Sequence, residues 1–154
     1  MQPEVTGAAA ARTALPPLQF VQNPDLKAVP RPPAALLALY FSAHWCGPCR
    51  HFTPRLKQFY ANTSREDLEI VFISLDRDLE QFRQYFATMP WLAMDFEGDR
   101  EEMAEALGVQ GIPALVVFHP STGKIVSPDA RRDVDQNMAD PTSLVETWKQ
   151  HAPS

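Results

Sequence analysis

The sequence predicts an α/β protein with a central mixed β-sheet flanked by helices, and three observations carry that reading. Two apolar runs of strand length, residues 35–41 and 68–75, are separated by a stretch of helical periodicity, the pattern of a parallel βαβ unit. A third run, residues 112–118, is followed by Lys124-Ile125-Val126 across Ser121-Thr122-Gly123, a turn signal that makes the pair an antiparallel hairpin. Between the first strand and the first helix stand the only two cysteines, in Trp45-Cys46-Gly47-Pro48-Cys49.

Taken in order, residues 1–33 form a proline-rich N-terminal extension. Pro3, Pro16, Pro17, Pro24, Pro30, Pro32 and Pro33 oppose helix and favour extended, partly mobile chain. Only Leu18-Gln19-Phe20-Val21 offers a short strand there. The domain itself is assigned to residues 34–154, beginning with a strand near 35–43 and a helix near 47–61. Pro54 falls among Phe52, Leu56, Phe59 and Tyr60 of that helix, where it should kink the axis and free a carbonyl. The second strand, Leu68-Glu-Ile-Val-Phe-Ile-Ser-Leu75, is rich in β-branched residues. An amphipathic helix near 77–87 then aligns Leu79, Phe82 and Phe86, a link runs through Met89-Pro90-Trp91-Leu92, and a short helix is expected near 99–107. After the hairpin comes a last helix with Asp140 as cap, Pro141 in its first turn and Leu144, Val145 and Trp148 on its apolar face.

Composition narrows the function. A chain of 154 residues, 45% apolar, suits one domain with a substantial core. The net charge of -5 leaves no basic stripe for phosphates, and no apolar run approaches the roughly 18 residues of a membrane span, which argues against nucleic-acid and membrane partners. Two cysteines in one motif are unlike a secreted disulfide scaffold and point to a reducing compartment. A cytoplasmic monomer is expected, with an organellar location left open by the alanines and Arg12 of the N-terminus, against which Glu4 counts.

The C-x-x-C spacing lets one thiolate attack a substrate disulfide while the other releases it. Cys46, at the start of the helix, receives the unpaired amides and the dipole of that terminus. Cys49, one turn inside, is the buried resolving thiol. Trp45 supplies an apolar rim, Gly47 a tight turn, and Pro48 a first-turn residue whose missing N–H would have no partner. A structural zinc site completed by His44, His51 or both is the competing reading. It suffers from having every candidate ligand within eight residues, so no metal is expected. Gly111-Ile112-Pro113 opens a strand, and only about 5–6% of X–Pro bonds are cis, which on its own favours a trans Pro113.

With Trp-Cys-Gly-Pro-Cys, Pro54 and Ile112-Pro113 in this order, the chain resembles the thioredoxin superfamily. Tyr40-Phe-Ser-Ala-His-Trp-Cys46, Phe52-Thr-Pro54, Gln84-Tyr-Phe86, Met89-Pro-Trp-Leu-Ala93 and Gly108-Val-Gln-Gly-Ile-Pro113 are similar to its tryparedoxin and nucleoredoxin branch. The resemblance implies a thioredoxin fold and cofactor-free exchange through a redox-active Cys46–Cys49 disulfide. It also implies a cis Pro113, with the Ile112 backbone pairing a substrate peptide as an added strand. Partners implied are protein disulfides such as those of peroxidases, and trypanothione or a reductase as electron donor. The alternative is a nucleoredoxin-like redox-sensitive binding module. Two departures stand out. Gly47-Pro48 replaces the branch's Pro-Pro, and Tyr40 holds the position where many thioredoxins place a buried aspartate that moves protons for the second cysteine. Asp76, ending the neighbouring strand, is the substitute proton acceptor offered, against the alternative of a cap for the next helix. Arg131 matches a basic residue of tryparedoxins that meets an anionic thiol donor, against the alternative of a solvated arginine.

Overall fold

A computed structural model describes residues 18–150. The described residues form seven strands and five helices: β1 (Phe20–Gln22), β2 (Lys27–Val29), β3 (Leu36–Ser42), α1 (Gly47–Ala61), β4 (Leu68–Ser74), α2 (Leu79–Phe86), β5 (Leu92–Met94), α3 (Arg100–Ala106), β6 (Ala114–His119), β7 (Lys124–Ser127), α4 (Ala130–Gln136) and α5 (Pro141–Gln150). One mixed sheet has the order β2-β1-β5-β4-β3-β6-β7. Its centre is parallel, β3 with β4 and β4 with β5, and β6 and β7 extend it antiparallel on one side. Every residue of β3 and β4 is buried, as strands covered on both faces require.

Alternation along the strands builds two cores. Leu36, Ala38 and Tyr40 of β3 join Ile70 and Phe72 of β4 beneath α1, α2, α4 and α5, which contribute Phe52, Leu56, Phe59, Phe82, Phe86, Val134, Val145 and Trp148. Leu37, Leu39 and Phe41 face the other way, with Val71, Ile73 and Val116 under Met103 of α3.

The main helix and both long strands lie where the sequence puts them. Helix α1 continues through Pro54, and Asp140 caps α5 by accepting from the Ser143 amide at 3.2 Å. Residues 1–17 of the extension, with the N-terminal targeting signals read there, lie outside the described residues. Part of the remainder belongs to the sheet, because Phe20 and Val21 bury their side chains and β1 pairs antiparallel with both β2 and β5. The turn of that hairpin contains a cis Asn23–Pro24 bond. It is tied down by the Asn23 amide, which donates to the carbonyls of Phe86 and Met89 at 2.8 and 3.1 Å. Strands β2 and β5 and helix α4 go beyond the expected elements. The strands have three residues each, too few to show alternation, and α4 buries only Ala130 and Val134 in an otherwise polar run.

Candidate active site

The motif sits where β3 gives way to α1. The Cys46 amide donates to the Ala43 carbonyl at 3.2 Å, and the His44 amide donates to Asp76 Oδ1 at 2.7 Å. The short loop is thereby closed on itself and fastened to the end of β4. Cys46 is the N-cap of α1, with extended backbone (φ -94, ψ 114), and its sulfur accepts from the Cys49 amide at 3.3 Å. A sulfur in that place takes over the duty of a capping hydroxyl. The bond strengthens when the sulfur is negative. Gly47 and Pro48 form the exposed first turn, and Cys46 and Cys49 are both free thiols, 7% and 0% exposed.

Cys49 lies on the inward stripe of α1 with Phe52, Thr53, Leu56 and Phe59. Burial above all, then its hydrogen bond with the Cys46 thiol, pushes the Cys49 thiol up to about 12. Hydrogen bonds with the Ser42 hydroxyl and the Ala43 backbone act the other way without offsetting this. At neutral pH the inner cysteine is therefore a protonated thiol.

The Ile112–Pro113 bond is cis, as the resemblance implies, and Pro113 is buried. Ile112 packs on Ala43, Cys46 and Cys49, with its carbonyl 3.8 Å from the Cys46 sulfur. Arg131 reaches the same loop, its guanidinium donating to the Pro113 carbonyl at 3.5 Å. Arg131 also lines a cleft of about 470 Å³ with Gly47, Pro48, His51 and the Arg55–Asp135 ion pair. Trp45, immediately before Cys46, is 46% exposed. Its indole N–H donates to the Leu75 carbonyl at 3.2 Å, and the Arg77 guanidinium lies 5.0 Å over its ring.

Asp76 is buried, and both its oxygens are engaged, Oδ1 by the His44 amide and Oδ2 by the Ser74 hydroxyl at 2.7 Å. The helix-cap alternative for Asp76 is corrected, since Asp78 caps α2 by accepting from the Gln81 amide at 2.8 Å. Cysteine and carboxylate thus meet through the loop backbone. The His44 ring stacks on Tyr85, with centroids 5.4 Å apart. Among the described residues no group of three or more His, Cys, Asp or Glu side chains is arranged to hold a metal ion.

Sequence reasoning missed a set of buried hydroxyls behind Cys49. Tyr40 and Thr53 lie 2.6 Å apart, Thr53 and Tyr85 2.7 Å, and Ser42 and Tyr85 2.8 Å. Thr53 also donates to the Cys49 carbonyl at 2.9 Å. Ser42, a polar residue ending an apolar strand, and Tyr40 at the aspartate position were the available signals.

A family described as thioredoxin-like matches residues 35–125. Probable nucleoredoxin 1 of Arabidopsis thaliana is 45% identical over 107 residues, 68% of this chain and 18% of that protein. Tryparedoxin of Trypanosoma brucei brucei is 39% identical over 113 residues, 71% of this chain and 76% of that protein. The chain thus spans about a fifth of the nucleoredoxins that it matches and most of a tryparedoxin. Among solved structures, a tryparedoxin II in complex with glutathionylspermidine superposes with a TM-score of 0.69 at 35% identity, over 78% of this chain and 85% of that one. The sheet order, the dithiol at the β3–α1 junction and these matches together make the chain a member of the thioredoxin-like family, with a thioredoxin fold.

Proposed function

We propose that the chain is a protein-disulfide oxidoreductase whose Cys46-Gly-Pro-Cys49 dithiol passes electrons from a reduced dithiol donor to protein disulfides such as those of peroxidases. The observation that carries this reading is the asymmetry of the sulfurs. One caps a helix at the lip of the site, and the other is enclosed one turn behind it. Cys46 as thiolate attacks a substrate disulfide, forming a mixed disulfide and expelling one substrate thiolate. Cys49 then attacks Cys46, expelling the second and leaving the Cys46–Cys49 disulfide, which the donor reduces. Trp45, Gly47, Pro48 and the Ile112–Pro113 loop bind the peptide on either side of Cys46, with Arg131 meeting an anionic group of donor or substrate.

The likeness to a tryparedoxin II that binds glutathionylspermidine supports a small dithiol such as trypanothione as donor. The likeness to nucleoredoxins supports the second reading, a redox-sensitive regulatory module in which the same cysteines gate a partner surface. Incubation with a disulfide peptide followed by mass spectrometry tests the core of the proposal. Cys49→Ser is expected to accumulate an adduct on Cys46 while Cys46→Ser forms none, and a Cys49→Ser protein without adduct would overturn the order of attack. Comparing trypanothione, glutathione and a thioredoxin reductase as donors to the wild type separates the enzyme reading from the regulatory one, which expects no sustained turnover with any of them.

A further inference from the structure

A surface charge can select a partner only where the protein has not already neutralised it, and two neighbouring stripes of α1 differ in this respect. One stripe, with Gly47, Pro48, His51 and Arg55, borders the cleft of about 470 Å³, where Asp135 holds Arg55 in an ion pair. The next stripe, with Arg50, Pro54 and Lys57, borders a second cleft, of about 230 Å³, closed by His44, Tyr85 and Thr88. Among the described residues no carboxylate lines this second cleft. Neither Arg50 nor Lys57 has an ion pair or a side-chain hydrogen bond with any described residue. These two cations stand uncompensated in a chain whose net charge is -5.

The cleft is continuous with the reacting thiol. His44 stands two residues before Cys46, its backbone amide held by Asp76 and its ring stacked on Tyr85. The Arg50 guanidinium folds back over the exposed first turn of α1, one terminal nitrogen 3.9 Å from the place that a side-chain carbon on Gly47 would occupy. Lys57 lies seven residues further on, two turns along the same face and about 10 Å down the axis. One carboxylate does not span that separation. An extended chain sets alternate side chains about 7 Å apart on one side, and the long stems of arginine and lysine take up the difference.

We propose that the cleft of His44, Arg50 and Lys57 is a docking subsite for an acidic segment of the disulfide-bearing protein, with carboxylates on alternate residues beside the reacting cysteine. The inference rests on the oxidoreductase reading. It adds a substrate class to that reading, since it makes the chain selective for disulfides flanked by Asp or Glu. The subsite acts on capture of the substrate: Arg50 and Lys57 attract the acidic segment and hold it across α1, while Cys46 and Cys49 carry out the exchange unchanged.

Peptides closed by one disulfide, carrying two glutamates on alternate residues before or after it, or glutamines or lysines in the same places, test this. The reduced full chain is mixed with each, acid-quenched and followed by mass spectrometry, and every rate constant is divided by that of dithiothreitol with the same peptide to remove the intrinsic reactivity of the disulfide. Wild type should favour the better glutamate peptide over its glutamine counterpart by about tenfold at low salt, and by no more than about twofold at 0.5 M salt. Arg50→Gln and Lys57→Gln should each reduce the preference to about threefold and the double variant to near parity, through weaker binding at saturating rates within about twofold of wild type. Lys27→Gln, which makes the same change of charge on the edge strand β2, should keep the full preference. Equal rates of wild type with glutamate and glutamine peptides would overturn the subsite. So would a double variant that keeps the preference, whether or not Arg131→Gln then removes it, or a loss in Lys27→Gln as large as in Lys57→Gln. A wild type that reduces none of the peptides would sink the oxidoreductase reading, and the subsite with it.

Discussion

The two faces of the sheet are made by the same strands and hold opposite chemistry. Odd-numbered residues of β3 (Leu37, Leu39 and Phe41) meet Val71, Ile73, Val116 and Met103 in an apolar layer. Even-numbered Tyr40 and Ser42 turn towards α1 and α2, where with Thr53 and Tyr85 they set four hydroxyls in a row behind Cys49. A phenylalanine would bury as much apolar area as Tyr40 or Tyr85 without needing partners, and a satisfied buried hydrogen bond contributes only about 1 kcal/mol net. Stability alone gives little reason for hydroxyls on one face and none on those β3 positions of the other. Both faces carry an apolar core, and among the described residues only the one beneath α1 and α2 adds linked hydroxyls behind the inner cysteine.

That contrast can be broken most forcefully from the apolar side. Phe41→Ala empties a wholly buried ring site and should cost about 3–5 kcal/mol in denaturant unfolding. Its rate of disulfide reduction per folded molecule should stay within about twofold, and a large specific loss of rate would show that the layers are not separable.

Alkaline pH acts from the polar side. Cys49 is raised from 9.0 to about 12, so between those values the unfolded chain gives up a proton that the folded, reduced protein retains. The unfolded state then binds fewer protons, and stability falls as pH rises above about 9, with no contribution below. The buried phenols of Tyr40 and Tyr85 act in the same direction at still higher pH. Denaturant midpoints of the reduced protein at about pH 8 and about pH 10 should show this loss, and Cys49→Ser should show less of it. A loss of equal size in Cys49→Ser would assign it to the phenols alone.

Thr53→Val keeps the shape of the helix stripe and removes the hydroxyl that joins Tyr40, Tyr85 and the Cys49 carbonyl. Leaving those buried groups short of a partner should cost about 1–3 kcal/mol in equilibrium unfolding. The smallest effect belongs to the rim. Arg55→Ala breaks an ion pair with Asp135 at 2.7 Å whose side chains are 41% and 38% exposed. A stability change above about 1 kcal/mol would contradict its solvated character.

Helix α1 and strands β3 and β4 were legible because each is long enough to display its period and carries punctuation, Gly47-Pro48 at the helix start and apolar β-branched residues in β4. The two thiols and Pro113 were legible as a motif. The hydroxyl row was not, because Ser42 and Tyr85 are 43 residues apart and Thr53 and Tyr85 are 32 apart. Their meeting depends on α2 packing across β3, a relation no local pattern contains. Asp76 was offered as a proton acceptor or as the cap of the next helix; its carboxylate accepts from the His44 amide and the Ser74 hydroxyl, and Asp78 caps α2. Helix α4, which presents Arg131 to the Pro113 carbonyl, has too few apolar residues to announce itself.

The three tryptophans differ in a way that has an optical consequence. Trp91 and Trp148 are 2% and 3% exposed, whereas Trp45 is 46% exposed and adjoins Cys46 in sequence. A collisional quencher in water therefore selects the fluorophore beside the reacting sulfur. Iodide, drawn by the Arg77 guanidinium 5.0 Å above that ring, should extinguish its emission more effectively than caesium does. A peptide seated across Cys46 would shield the indole, so the chain carries its own luminescent gauge of occupancy without any attached dye.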